Sequence, residues 1–348
     1  MMSFKRTVAI LIGVLAAGAA SAGKLTVCPK GCEFTSIQSA VDAAHGGDMI
    51  EIGPGTYFEN VNISKALTLN GAGRDKTLVD GRLLGSVFTL DSPAAATTVN
   101  TVRLTNMSIT QGRGVNVGGG IEVLGLARLD LSFCIVIANR SDGIDTNGAG
   151  GGISLESAES VTNKIANTII VYNHSQSGGG GVSVSFETQA EIIDSTISRN
   201  DTQGLGGGID LLAKSIAKIT GTSLTENSAK LGGGGLFAAN NHPFQPGAEV
   251  TITDSVIADN LTTADGGGLS GQFTISDSVI ARNVAAHDGG GLLGHGALLS
   301  RVFVVQNAAG HSGGGIFTVT GLGIIDTTIA QNKPDNCVAA PATGSGCP

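Results

Sequence analysis

Tryptophan is absent from the 348 residues, tyrosine occurs twice, and aromatics make up 4% of the chain. That disfavours a carbohydrate site of the aromatic-rich kind. Basic residues are scarce too, with 20 Lys and Arg against 28 Asp and Glu, and there is no basic tract. Nucleic acid is therefore excluded as a partner, and a polyanionic glycan would need a bound cation or a local basic patch. No long stretch has helical periodicity, which excludes a helical solenoid. Beyond the first residues no run is apolar enough to span a membrane.

What the chain has in abundance is glycine, 54 residues of it. Eight times three glycines are followed at once by Ile, Val or Leu, the runs ending at Ile121, Ile153, Val182, Ile209, Leu236, Leu269, Leu292 and Ile316. In six copies an Asn stands six residues before the first of the three glycines: Asn173, Asn200, Asn227, Asn260, Asn283 and Asn307. Three residues before each Asn is an aliphatic, from Ile170 to Val304. The Asn spacings are 27, 27, 33, 23 and 24 residues, with Asn332 a further 25 on. The copy at Asn139 carries five extra residues, and the first copy has Gly112 in place of the Asn. Apolar and polar residues alternate around these marks, as in Ile192 to Asn200, which is strand periodicity.

A unit this short cannot bury its apolar face alone, so units must stack. The expected fold is all-β: a single-stranded right-handed parallel β-helix, the handedness following from strand twist. Glycine at a recurring corner permits positive φ and close approach of the next coil. Asn is expected to tolerate the same corner and to bond up its column.

The start reads as a secretory signal: Lys5-Arg6, an apolar run from Val8 to Ala17, then Ala20-Ser21-Ala22, with cleavage near Ala22. Removing it leaves 18 basic and 28 acidic side chains, a net charge of −10. The expected division is residues 1–22 as signal peptide, 23–337 as β-helix and 338–348 as an irregular tail. In an oxidising compartment, Cys28 with Cys32 and Cys337 with Cys347 can staple the two ends of the solenoid. Cys134, alone in an apolar strand, reads as a buried free thiol. Ile37, Ala40, Val41 and Ala44 share one helical face behind a Thr/Ser cap signal, so a short helix is expected to plug the first coil.

The stretch from Phe34 to Gly81 resembles the opening of pectin lyase-like right-handed β-helix proteins. The resembling segments are Thr-Ser-Ile-Gln-Ser-Ala-Val-Asp-Ala-Ala (35–44), Gly-Asp-Met-Ile-Glu-Ile (47–52), Pro-Gly-Thr-Tyr-Phe-Glu-Asn-Val (54–61) and Leu-Thr-Leu-Asn-Gly-Ala-Gly (67–73). Pectinesterases and uronate epimerases share this opening, which implies the fold and not one activity. The later repeats are similar to those in passenger domains of polymorphic outer-membrane adhesins. No catalytic signature follows. The paired Gln-Asp, Asp-Phe and Arg-Pro-Trp segments that a pectinesterase implies are absent. So are the adjacent Asp pair of a polygalacturonase and the Trp-x-Asp-His of a pectate lyase. Gly294-His295-Gly296 matches the polygalacturonase Gly-His-Gly, but the Arg-Ile-Lys that should follow is missing. The sequence also closes without the alternating strands of an autotransporter barrel, so self-secretion by that route is not expected.

Aligning the repeats gives candidate sites. Asp265 and Asp288 precede the glycines, with His287 and His311 beside them, and the four are expected to meet at one corner as metal ligands or acid and base. The outward column Glu122, Ser154, Ser183, Asp210 and the next column, with Glu156 and His295, offer paired carboxylates of the glycosidase kind. Each set is equally what a solvated polar face would show. Asp142, Asp145 and Asn147 crowd the five-residue insertion, as a calcium loop or a plain turn. Phe237 and Phe317, with the insertion at 238–247, suggest an apolar lip beside a groove.

Two functions from different classes remain open. One is an exported, non-catalytic β-helix that binds an extracellular polysaccharide or cell-surface glycan, adhesin-like or envelope-associated. The other is a polysaccharide lyase or glycoside hydrolase with an unfamiliar site. A purely structural envelope component is a third possibility.

Overall fold

The computed structural model describes residues 22–93, 95–115, 118–143, 150–240, 246–339 and 347. One repeat shows how the chain winds. Ile209–Leu211 and Ile216–Thr220 are two strands of one sheet, Ser223–Thr225 belongs to a second and Ser228–Ala229 to a third. The glycine run then opens the next coil. Each strand pairs in parallel with its equivalent one coil on: Ile209 with Leu236, Ile219 with Ile252, Leu224 with Ile257 and Ser228 with Leu261. The molecule is thus a parallel β-helix of three sheets, with one helix among the described residues. In the later coils the two strands of the first sheet fuse, as in Leu269–Ser276 and Leu292–Ser300.

Alternation decides what faces in. Ala217 and Ile219 are buried while Lys218 between them is exposed. The repeat aliphatics Ile170, Ile197, Leu224, Ile257, Ile280 and Val304 form one fully buried column. None of these strands could hide its apolar face without the coils on either side.

The Asn column is a ladder. Asn227 Nδ2 donates to Asn260 Oδ1 at 3.1 Å and to the Ile197 carbonyl at 2.9 Å. Its own Oδ1 accepts both the Asn200 side-chain and backbone N–H groups, each at 3.1 Å. The same pattern runs from Asn139 to Asn332, and Gly112 joins through its backbone N–H, 2.8 Å from Asn139 Oδ1. The corner itself differs from expectation. The left-handed residue is the one before each Asn, such as Arg199 (φ 53°) and Glu226 (φ 56°), and not the Asn. The Asn is there for its amide, which satisfies a buried backbone N–H and a buried carbonyl of the preceding coil. Asn227→Ala is expected to orphan two donors of Asn200 and cost about 1–3 kcal/mol in urea unfolding; a variant as stable as the parent would contradict this role.

The three glycines have separate reasons. Gly206 takes φ 65°. A Cβ on Gly207 would lie 2.3 Å from the Gly234 carbonyl oxygen, and one on Gly208 would meet Gly235 O at 2.6 Å and the Asn227 amide at 3.0 Å. The first glycine turns the chain, and the other two let coils touch backbone to backbone.

Both ends are stapled. Cys28 is bonded to Cys32 and Cys337 to Cys347, while Cys134 is free and fully buried. Burial pushes the Cys134 thiol up to about 12. The helix Ile37–Ala43 buries Ile37, Ala40 and Val41 against the first coil behind an Ser36 cap. Glu59 accepts the Ile37 and Gln38 N–H groups at 2.8 and 2.9 Å, a carboxylate at the positive helix end. The expected signal sequence lies outside the described residues except for Ala22. Among the described residues no helix is long and apolar enough to cross a membrane.

Candidate functional site

Glu122, Ser154, Ser183 and Asp210 do stack in register on successive coils. They are not the exposed polar face their alternation predicts. Glu122 is 7% exposed, Asp210 3%, and both serines are fully buried. The reason is the glycine corner, which folds back over the column: a Cβ on Gly178 would sit 2.3 Å from Asp210 Oδ2. Asp210 Oδ1 and Ser183 Oγ have no hydrogen-bond partner among the described residues. Loss of hydration alone raises the Asp210 carboxyl to about 7.

Burial also raises Glu122. A 3.3 Å hydrogen bond from Thr89 opposes that rise, and the like charges of Glu156 and Asp91 add to it. Glu156 is raised by burial, against a 3.0 Å hydrogen bond from Ser154 Oγ. It lines an open depression of about 250 Å³ with Ser185, Phe186 and Leu212. Acid–base chemistry needs a raised carboxyl that a substrate can reach. Asp210 has the raised carboxyl without the access; Glu156 has partial access.

The His/Asp corner assembles only in part. Asp288 N–H donates to Asp265 Oδ1 at 2.9 Å, and His311 Nδ1 stands 2.8 Å from Asp288 Oδ1. His287 is exposed, and no group of three His, Cys, Asp or Glu able to hold a metal occurs among the described residues. Stacking brings the backbones together, as the repeat register requires, while the side chains of His287 and His311 remain largely in water. His295 is half-buried beside a strand irregularity, and burial holds it below the usual imidazole range. Asp142 is committed elsewhere: its carboxylate meets Arg113 Nε at 2.5 Å and Arg140 Nε at 2.6 Å. Two guanidinium groups there disfavour a calcium ion. Asp145 and Asn147 lie outside the described residues, as does 241–245 of the expected lip, while Phe237 and Phe317 are partly exposed.

Three features escaped the sequence reading. A second ladder links Thr168, Ser195, Thr222, Ser255 and Ser278, each hydroxyl oxygen from Ser195 on accepting the backbone N–H of the residue one coil earlier. Its signal was the hydroxyl residue two places before each repeat aliphatic from Ile170 to Ile280. His174 pairs with Asp201 at 2.6 Å, and that hydrogen bond raises the imidazole. Finally, Phe133, next to Cys134 in an apolar run, sits at a corner and is 52% exposed.

No protein-family model and no curated protein matches the sequence. Among solved structures the chain is similar to a pectin methylesterase from Aspergillus niger, with 12% identity over 82% of this chain and 85% of that one and a TM-score of 0.39. Carrot pectin methylesterase gives 11% identity, 88% and 90% coverage and a TM-score of 0.40. A mannuronic acid specific polysaccharide family 6 lyase from human gut microbiota gives 8% identity, 92% coverage of both chains and a TM-score of 0.34. Superpositions this loose carry no argument about function; the assignment of the fold rests on the strand pairing itself.

Proposed function

We propose that this protein is an exported β-helix that binds glycans or glycan-coated surfaces without cleaving them. One observation carries the reading: the carboxyl best tuned to exchange a proton near neutral pH, Asp210, is sealed beneath the glycine corners at 3% exposure. Glu156, the column carboxylate with access to solvent, lines an open depression that suits holding a polymer more than enclosing a reacting bond. The stapled ends support an oxidising, extracellular setting. The competing lyase or hydrolase reading draws on Glu122 and Glu156, two raised carboxyls that feel each other beside an open depression. Glu156→Gln separates the two. A binder keeps its glycan retention in affinity electrophoresis with this change, whereas an enzyme loses its turnover. Any polysaccharide-degrading activity that vanishes in Glu156→Gln would replace the first reading by the second.

A further inference from the structure

An open depression of about 570 Å³ lies at the corner between the first and second sheets. Its lining includes Arg74, Asn106, Phe133, Asn167 and Asp194, drawn from successive coils. Register fixes that succession: Asn70 pairs with Thr105, Thr105 with Ser132, Ser132 with Ala166 and Ala166 with Ile193. At roughly 4.8 Å per coil the groove runs about 19 Å along the axis.

The corner positions all have a left-handed backbone: Asn106 at φ 58°, Phe133 at 54°, Asn167 at 49° and Asp194 at 46°. Further along come Gly221, Asp254 and Asp277, then Arg301, which is ion-paired to Asp277. Asn, Asp and Gly adopt this conformation more readily than a bulky aromatic, and at 52% exposure burial offsets only part of that cost for Phe133. Phe133 is thus placed at a cost that packing offsets only in part. Strain of this kind, kept at a cavity, points to a use for the side chain.

Around the ring, the Arg74 guanidinium, the Asn167 amide and the Asp194 carboxylate make no hydrogen bond or ion pair among the described residues. A flat apolar platform flanked by free donors and acceptors fits a sugar ring, whose C–H face stacks while its hydroxyl groups bond sideways. The charged lining is mixed, Arg74 against Asp75 and Asp194, so it matches no polymer of one sign. We propose that this groove is the saccharide-binding site, that Phe133 is its stacking platform, and that its ligand is a linear uncharged polysaccharide. The inference rests on the glycan-binding reading above and names its place and ligand class.

The test is Phe133→Asn, which installs the residue found at the same corner one coil before and one coil after. Binding is measured by calorimetry against neutral glucan, mannan and xylan oligosaccharides and against polygalacturonate. The parent is expected to bind at least one neutral oligomer, and Phe133→Asn to weaken it about tenfold, the size of one lost stacking contact. The melting temperature of the variant should equal or exceed that of the parent, since strain is relieved. Unchanged affinity in Phe133→Asn, or preference for polygalacturonate, overturns the site or its ligand class and leaves glycan binding standing. Failure of the parent to bind any glycan removes the underlying reading as well.

Discussion

Asp210→Asn is expected to stabilise the protein at pH 8 by about 4 kcal/mol and to leave it unchanged below pH 4. The folded carboxyl titrates at about 7 against 3.8 when unburied. Below 3.8 both states hold the proton, so nothing is gained or lost. Between 3.8 and 7 the unfolded chain gives up its proton while the folded one keeps it, and stability falls as pH rises. Above 7 both are ionised and the penalty stays constant. A shift of that size is worth about 4 kcal/mol at 1.36 kcal/mol per unit. An amide resembles the protonated acid and carries no such penalty. Urea unfolding of parent and variant from pH 3 to 9 checks this. Parallel stability curves would mean that Asp210 is ionised and solvated in the fold, against its burial. Glu122 and Glu156 are raised too and give the parent a smaller slope of the same sign that Asp210→Asn does not remove.

Gly207→Ala is expected to destabilise the repeats severely. Its Cβ would fall 2.3 Å from Gly234 O and 2.6 Å from the Ser228 backbone, and neither is a flexible side-chain end. The coils can relieve this only by separating, which breaks the N–H bond from Gly207 to the Gly233 carbonyl and loosens the Asn ladder beside it. A loss above about 3 kcal/mol is expected, beyond ordinary overpacking because backbone must move. Gly206→Ala is expected to be no milder, since its Cβ would add a 2.1 Å approach to the Ile209 carbonyl oxygen to the left-handed φ of 65°. A Gly207→Ala variant with the melting temperature of the parent would contradict the backbone-to-backbone packing assigned to this glycine.

The contrast shows what a sequence can carry. The buried column Ile170 to Val304, the Asn ladder, the capping helix and both disulfides were legible because each follows from periodicity or proximity along the chain. The outward column was misread because alternation tells which side of a strand a residue faces, not what folds over that side. Asp210 looks like a surface residue until the Gly178 corner is seen lying across it. The His/Asp corner failed differently. Register brings Asp265, Asp288 and His311 into hydrogen-bonded contact but does not set where His287 points. Phe133 was hidden by its neighbours: beside Cys134, Ile135 and Val136 it extends an apolar run. Only alignment with Asn106, Asn167 and Asp194 shows it standing where a turn residue belongs.

The central claim is binding without cleavage, and incubating the purified protein with neutral and acidic polysaccharides tests it most directly when retention and chain ends are followed in the same samples. The account predicts retention of a glycan with no release of reducing or unsaturated ends over many hours. Release of either kind of end that grows with protein concentration would contradict it.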